Sequence, residues 1–216
     1  MKKYIPKYSH EIQINMDMFC ETIKKYKSCK DVYSIFEIGA RDGVDARKML
    51  SYFPKSDVYA FEAGSDEHRA HIDANEPIKW INVAIYDYDG EVDFHKKGFM
   101  SGVNSIRNKK NMSGTVEKIK CMRVDTFCKE SGIVDVDFVK VDVEGCTYEV
   151  LKSFGLFFKR VSFFHVETES LAYFDGQILE EEVFELLEKD FVMLEKTNRS
   201  DGVLQNDSIW INKKLY

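Results

Sequence analysis

The chain has 216 residues, of which 44% are hydrophobic and 13% aromatic, and its 31 basic and 37 acidic side chains give a net charge of −6. This apolar content is enough to bury a core, which excludes an intrinsically disordered chain, and 12 glycines with 3 prolines exclude collagen-like and low-complexity sequence. No apolar run reaches the roughly 20 residues of a membrane helix, and the basic start leads into no apolar segment, so we expect neither a membrane span nor a signal peptide. The acidic balance gives no general attraction for nucleic acid.

The cysteines indicate the redox environment. They are Cys20, Cys29, Cys121, Cys128 and Cys146. Their number is odd and no two are spaced as CxxC, so we expect reduced thiols that pack in the interior of a cytoplasmic protein. No nearby histidine completes a zinc ligand set.

Helical and extended patterns alternate through the first half of the chain. Apolar residues three and four apart predict a helix from Ser9 to about Tyr26, within an N-terminal helical extension of residues 1–30. Strands are then predicted at 32–38, 57–62, 79–85 and 92–95, with helices at 44–52 and 65–74. Residues 98–115 are rich in Gly, Ser and Asn and are predicted to form a mobile loop.

The second half continues the alternation and ends differently. Strands are predicted at 118–124, 136–142, 161–168, 191–196 and 207–212, with helices at 125–131, 147–154 and 177–190. Alternating strands and helices predict an α/β fold with a mostly parallel sheet, in which crossovers are right-handed. The last two strands are joined only by a polar turn around Asp201-Gly202, which predicts an antiparallel pair. With no repeat and no linker, residues 1–216 are assigned to one domain.

The turn after the first strand is the first candidate binding motif. It reads Glu37-Ile38-Gly39-Ala40-Arg41-Asp42-Gly43. Ligands of open α/β sheets bind outside the carboxyl ends of the strands, and the two glycines allow a ligand to approach the backbone. The spacing differs from the Gly-x-Gly-x-x-Gly of a pyrophosphate site, and the carboxylate of Glu37 favours a cationic or amino-bearing ligand.

The next two strands end in further candidate ligand contacts. Glu62 follows Gly43 by 19 residues, a position at which a carboxylate can accept both hydroxyls of a ribose. The third strand carries Asn82-Val83-Ala84, where a side-chain amide or the backbone could meet the edge of an adenine.

Two later strands carry the candidate catalytic groups. Lys140 and Asp142 share one face of the fourth strand, and Asp142 and Glu144 fall at its carboxyl end. A lysine in an apolar strand needs a partner, which Asp142 or Glu37 could supply. His165 shares a face of the fifth strand with Glu167, beside the same sheet edge.

These segments together resemble the FkbM family of S-adenosylmethionine-dependent methyltransferases. The resemblance covers roughly residues 32–170, and its most specific part is the run Lys140-Val141-Asp142-Val143-Glu144-Gly145 after Val124-Asp125-Thr126-Phe127. It implies a class I methyltransferase fold, Rossmann-like, with helices on both faces of a seven-stranded sheet of order 3-2-1-4-5-7-6 whose seventh strand is antiparallel. It also implies methyl transfer to a hydroxyl of a sugar, glycan or related small-molecule natural product.

The resemblance further implies roles for particular residues. Glu37, Gly39 and Gly43 would surround the methionine part of S-adenosylmethionine, Glu62 would hold the ribose, and Asn82 and Val83 would flank the adenine. Asp142 would face the methionine amino group or the acceptor hydroxyl. The expected cofactor-binding set is Glu37, Gly39, Ala40, Arg41, Asp42, Gly43, Glu62, Ala63, Asn82, Val83, Ala84 and Asp142.

Several alternatives stay open at this point. Asp142, Glu144 or His165 is the expected base for the hydroxyl proton, and a divalent metal bridging Asp142 and Glu144 is a less favoured possibility. An NAD-dependent oxidoreductase or a non-catalytic binding module would also use such a fold. The basic residues of the loop could form a lid over an anionic acceptor; they are Lys96, Lys97, Arg107, Lys109 and Lys110.

Overall fold

A computed structural model describes residues 14–64, 77–98, 101–197 and 205–216. The helices in these ranges are α1 Met16–Lys24, α2 Val44–Tyr52, α3 Val124–Ser131, α4 Thr147–Ser153 and α5 Glu180–Leu187. The strands are β1 Ser34–Ile38, β2 Asp57–Phe61, β3 Ile78–Ile81, β4 Ala84–Ile85, β5 Gly90–Lys96, β6 Thr115–Met122, β7 Val136–Val141, β8 Val161–Glu169, β9 Phe191–Lys196 and β10 Gln205–Asn212.

The main sheet has the topology that the resemblance implied. Its seven strands lie in the order β3-β2-β1-β7-β8-β10-β9, and β10 runs antiparallel to both of its neighbours. The other strands are parallel, as expected for strands joined by crossover connections. The strand order reverses between β1 and β7, where Glu37 is paired with Lys140. A ligand cleft is expected at this point.

The alternation of side chains along the central strands accounts for the two layers of helices. On β1, Phe36 and Ile38 pack in one apolar cluster with helices α3, α4 and α5, whereas Ile35 packs in a second cluster with α1 and α2. Residues on β7 divide in the same way, with Val139 in the first cluster and Phe138 in the second. Because successive side chains of a strand point to opposite faces, both faces of the sheet are covered by helices.

A second, three-stranded sheet was not expected from the sequence. It has the order β4-β6-β5. The single strand predicted at 79–85 is in fact two strands: β3 belongs to the main sheet and β4 pairs with β6. The chain turns at Asn82-Val83, where the Val83 N–H bonds to the Ile81 carbonyl at 3.0 Å. Alternation of apolar and polar residues indicates that a segment is extended, but it does not show which sheet the segment joins.

Several predicted boundaries change in the structure. The first helix begins at Met16, and the Asn15 side chain caps it by accepting from the Met18 N–H at 2.9 Å. Helix α3 begins one residue before Asp125, which is bonded to Arg123 instead of acting as the cap. Helix α5 covers only Glu180–Leu187 of the range 177–190. The predicted cap at Ser9, the helix at 65–74 and the turn at Asp201-Gly202 lie outside the described residues.

None of the helices among the described residues has the length and apolar character needed to cross a membrane. Four of the cysteines, Cys20, Cys121, Cys128 and Cys146, are buried, in agreement with the expected packing role, whereas Cys29 is exposed and does not have that role.

Candidate active site

A cavity of about 470 Å³ opens at the carboxyl edge of the main sheet, where the strand order reverses. This volume is within the usual range of small-molecule sites. Predicted residues that line it are Glu37, Gly39, Ala40, Arg41, Asp42, Glu62, Ala63, Val83, Ala84, Asp142 and Glu144. Lining residues that were not selected from the sequence include Asp45, Ser101, Asn104, Glu167 and Gln205. The cavity therefore brings together the ends of β1, β2, β7 and β8.

The turn after β1 lies very close to the end of β7, and this closeness requires glycine at position 39. Gly39 has φ +88°, and a Cβ placed on it would lie 1.8 Å from the carbonyl oxygen of Asp142. Its N–H and that of Ala40 both bond to the Phe61 carbonyl at 3.0 Å. The turn is thus fixed between two neighbouring strand ends, with its backbone lining the cavity.

Glu62 is held at one end of the cavity by backbone donors. Its Oε2 accepts from the Arg41 N–H and its Oε1 from the Gly64 N–H, each at 2.7 Å. The Asn82 amide supports the same turn by donating to the carbonyls of Glu62 and Gly64 at 3.0 and 2.7 Å. The carboxylate is therefore oriented in advance, while each of its oxygens keeps capacity for a second hydrogen bond.

A buried lysine joins the carboxylates beneath the cavity. The Nζ of Lys140 lies 2.6 Å from Asp45, 3.1 Å from Asp142 and 3.9 Å from Glu37. Although burial opposes its charge, these carboxylates raise the pKa of Lys140, so it remains a cation. Burial raises the pKa of Glu37 to about 8 despite Lys140, and its Oε2 is buried without a hydrogen-bond partner. Asp142 and Glu37 are thus both present as partners of Lys140, as expected. Asp45 is a third partner.

Three carboxyl groups meet at the other end of the cavity. Asp142, Glu144 and Glu167 each place one carboxyl oxygen within 4.8 Å of the others, a spacing compatible with a shared proton or with a bound cation. Burial and then the charge of Asp142 raise the pKa of Glu144 to about 8. Glu144 has a left-handed backbone with φ +53°, and its carbonyl accepts from the Ser105 Oγ at 2.6 Å. Such strained non-glycine residues are found mainly at functional sites.

Three predicted site residues do not line the cavity. Gly43, with φ +71°, begins α2 and packs so closely on Trp80 that a Cβ would lie 2.5 Å from the ring. Asn82 supports the Glu62 turn as described above. His165 is 3% exposed, with its Nε2 3.0 Å from Asp207 and its ring 5.1 Å from that of Phe19. This buried position does not support a role for His165 as the base.

The loop predicted to be mobile lines the cavity with neutral residues and not with the basic residues that were expected to form a lid. Ser101, Gly102, Asn104, Ser105 and Ile106 line the cavity and form its roof. Isolated antiparallel bridges join His95 to Ser105 and Lys109 to Phe174, which attaches the segment at two points. The basic residues contact protein groups: the Lys97 Nζ donates to Asn108 and to the Met112 carbonyl, and Lys110 donates to the Ala172 carbonyl. The predicted lid of cations over an anionic acceptor is not supported by these positions.

A model of the methyltransferase FkbM domain matches residues 37–194. The chain belongs to the FkbM methyltransferase family. The matched range begins at Glu37 in the turn after β1 and extends into β9, so it contains every strand end that contributes to the cavity except Gln205 of β10. This membership identifies the protein as an S-adenosylmethionine-dependent methyltransferase and not an NAD-dependent oxidoreductase.

Known relatives agree with the FkbM assignment. The chain is 27% identical over 172 residues to the 2-O-methyltransferase NoeI of Sinorhizobium fredii (strain NBRC 101917 / NGR234), covering 71% of this chain and 70% of that protein. A crystal structure of the methyltransferase FkbM from Methylobacillus flagellatus KT superimposes with a TM-score of 0.53 at 13% identity, covering 84% of this chain and 44% of that one. M. capricolum TrmK, in complex with S-adenosyl-homocysteine, gives 0.52 at 12% identity over 96% and 71%. At these identities the two structures show the shared fold.

Sequence reasoning missed three polar residues of the FkbM cavity. Glu167 was identified only as sharing a face of the strand with His165. The alternation of side chains along a strand does not show which of these two residues lies at the sheet edge. Asp45 lies in the first turn of α2, where acidic residues are common for reasons of helix stability alone. Gln205 enters the site because β10 inserts beside β8, which no local signal indicates.

A buried ion pair joins the roof of the cavity to helix α4. Arg107 donates to Glu149 at 2.7 Å and to the Asp175 carbonyl at 2.9 Å, and the Glu149 side chain is only 8% exposed. We expect Arg107→Met to lower the free energy of unfolding by about 3 kcal/mol, because it leaves Glu149 as an unpaired buried charge. Urea denaturation at pH 7 measures this change.

The matched control for the Arg107 variant is Lys110→Met, which changes an exposed bond on the same segment and is expected to alter stability by less than about 0.5 kcal/mol. The double variant Arg107→Met/Glu149→Leu should recover part of the loss, because no unpaired charge then remains. Equal stability of Arg107→Met and the original chain would show that the pair does not hold the roof.

Proposed function

We propose that the protein transfers the methyl group of S-adenosylmethionine to a hydroxyl of a sugar, glycan or related small-molecule natural product. The observation that carries this proposal is the division of the cavity into a half with the oriented carboxylate of Glu62 and a half where the carboxyl groups of Asp142, Glu144 and Glu167 meet. The relative named as a 2-O-methyltransferase supports a hydroxyl acceptor.

The half of the cavity at β1 and β2 fits S-adenosylmethionine. Glu62 presents a carboxylate already oriented by two backbone N–H groups, as a ribose site requires. The backbone of the turn at Gly39 lines this half, and Glu37 has a buried oxygen without a partner that could accept from the amino group. Val83 and Ala84 line the same half and would contact the adenine. When bound, the cofactor supplies a methyl group that is activated by attachment to a positively charged sulfur.

The half at β7 and β8 provides the groups for the acceptor. Glu144 is the proposed base, because a carboxyl group with a pKa near the working pH is the most effective proton acceptor. Asp142 lies between the two halves, where it would orient the acceptor hydroxyl or the amino group of the cofactor. Alignment of the hydroxyl oxygen with the methyl group would supply a further large part of the acceleration.

Charge indicates the class of acceptor. Asp142, Glu144 and Glu167 provide no cation for the phosphates of a nucleic acid, whereas carboxyl and amide groups are good partners for neutral hydroxyls. The roof adds neutral hydrogen-bonding groups from Ser101 and Asn104. We therefore propose a small hydroxyl-rich acceptor and no nucleic-acid partner.

Calorimetric titration of the purified chain with S-adenosylmethionine, S-adenosylhomocysteine and NAD tests the cofactor assignment. We expect micromolar binding of the first two compounds and none of NAD. Release of S-adenosylhomocysteine in the presence of a panel of neutral glycosides then tests the acceptor class. Binding of NAD alone, or transfer only to acceptors without a hydroxyl, would contradict the proposal.

We also expect the site to work without a divalent metal. The Nζ of Lys140 already bonds to Asp142, so the charge of this carboxylate is compensated by a protein cation. Protein treated with EDTA should bind S-adenosylmethionine as well as untreated protein, and titration of Mg²⁺ or Mn²⁺ should give no saturable heat. Loss of cofactor binding or of methyl transfer in EDTA, restored by either ion, would show that a metal is required.

A further inference from the structure

Glu167 is a cavity residue to which the function proposed above gives no role. It lies on β8, one register position beyond the paired Val166 and Val141, and lines the cavity. Its Oε1 accepts from the Gln205 Nε2 at 2.6 Å, and one of its carboxyl oxygens lies within 4.8 Å of an oxygen of Asp142. Two neighbouring carboxylates repel each other in a buried site, so we expect one of the two carboxyl groups to hold a proton that it can donate to the other.

The surroundings of the pair decide which group holds this proton. Lys140 bonds to Asp142 at 3.1 Å and stabilises the negative charge of Asp142. Although burial would raise the pKa of Asp142, this contact holds it below the usual range. Glu167 instead faces acidic groups on three sides: Asp142 and Glu144 after β7, and Asp207 on β10. Burial and these charges raise its pKa well above the usual range.

Other charged groups near the pair do not reverse this assignment. On β8 itself, the titratable groups two residues from Glu167 are His165, which bonds through Nε2 to Asp207, and Glu169, a further carboxyl group. The Gln205 amide is a neutral donor, so it can bond to either the protonated or the ionised form of Glu167. The proton is therefore placed on Glu167, and the negative charge on Asp142.

We propose that Glu167 is a positioning residue of the methyl-transfer site, present as a neutral acid that donates to Asp142 and keeps Asp142 as the anion facing the cavity. The effect on turnover rests on the function proposed above, whereas the protonation state does not. A glutamine at position 167 would reproduce this arrangement, because its amide can donate to Asp142 while its carbonyl oxygen accepts from Gln205. If Glu167 worked as an anion, the same substitution would remove its function.

The test compares Glu167→Gln with Glu167→Ala. We expect Glu167→Gln to keep turnover of a neutral glycoside substrate within about threefold of the original chain, and Glu167→Ala to lose roughly 10- to 100-fold, as expected for one hydrogen bond to a charged group. At alkaline pH the original chain should lose activity when Glu167 ionises beside Asp142, and Glu167→Gln should keep it.

Infrared difference spectroscopy of the unliganded protein at pH 7 decides the protonation state without an acceptor. The spectrum of the original chain minus that of Glu167→Gln should contain the carbonyl band of a protonated carboxyl group. The exposed Glu185→Gln on α5 is the control and should remove a carboxylate band.

Two results would overturn the inference while leaving the proposed function intact. One is a difference spectrum in which Glu167→Gln has lost a carboxylate band instead of the band of a protonated carboxyl group. The other is a Glu167→Gln variant that is as inactive as Glu167→Ala. A failure of the original chain to methylate any glycoside would instead count against the proposed acceptor, and the infrared result would still decide the state of Glu167.

Discussion

Replacement of Glu62 by alanine is expected to weaken binding of S-adenosylmethionine roughly 100- to 10,000-fold. The carboxylate would accept both ribose hydroxyls, and each hydrogen bond to a charged group is worth about 1.5–3 kcal/mol. The side chain is already oriented by the N–H groups of Arg41 and Gly64, so little ordering is needed on binding. Calorimetry with S-adenosylmethionine and S-adenosylhomocysteine measures the effect, which should be similar for both because they share the ribose.

Glu62→Gln makes this prediction more specific. Its amide group has one acceptor oxygen, so it can satisfy only one of the two backbone N–H groups and must turn its NH₂ toward the other. We therefore expect it to bind the cofactor much more weakly than the original chain, despite its similar shape. Glu91→Ala removes an exposed carboxylate from β5 and should leave binding unchanged. Equal affinities of Glu62→Ala and Glu91→Ala would show that Glu62 does not hold the ribose.

Replacement of Glu144 by glutamine is expected to lower kcat by roughly 10²- to 10⁴-fold, the usual contribution of a general base. Glutamine cannot accept a proton but keeps the size of the side chain, so binding of S-adenosylmethionine should change little. The difference between a large loss of kcat and an unchanged cofactor affinity separates this role from a structural one. The measurement is release of S-adenosylhomocysteine with a saturating glycoside acceptor.

The pH dependence provides an independent readout for Glu144. Burial and the charge of Asp142 raise its pKa to about 8, so the base is mostly protonated at pH 6 and mostly ionised above pH 8. Turnover of the original chain should therefore increase as the pH rises from 6 through about 8. In Glu144→Gln this increase should be absent.

The raised pKa of Glu144 also makes the stability of the folded chain depend on pH. Stability should fall over the pH range in which turnover rises. The pKa of Glu144 is higher in the folded chain than in the unfolded chain, so the folded state binds the extra proton between these two values. Stability is therefore lost as the pH rises toward 8, and Glu144→Gln should lose less over this range. Glu130→Gln, an exposed change on α3, is the control for both measurements. A variant at position 144 with unchanged kcat and pH profile would show that another group takes the proton.

Local sequence was sufficient for most of the elements and for most residues of the half of the cavity at β1 and β2. The turn that begins at Glu37 is short, and its shape follows from glycine at position 39, where a side chain would collide with the backbone after β7. Glu62 could be predicted because the end of a neighbouring parallel strand must lie at the same sheet edge. The antiparallel last pair followed from the short connection before β10.

The tertiary structure decided which groups meet in the half at β7 and β8. His165 and Glu167 point to the same face of β8. Only Glu167 lies beyond the last pair of β7 and β8 and lines the cavity, while His165 is packed on Phe19. The sequence also did not show that the predicted strand at 79–85 divides between two sheets.

The sequence by itself therefore determined the order of the elements, the turn around Gly39 and the position of Glu62, because these depend on residues close together in the chain or on neighbouring parallel strands. Only the tertiary structure brought Asp142, Glu167 and Gln205 together. Gln205 is 63 residues after Asp142 along the chain, and its place beside Glu167 depends on the insertion of β10 between β8 and β9. Contacts at such a separation depend on how whole strands assemble, which no local pattern of residues specifies.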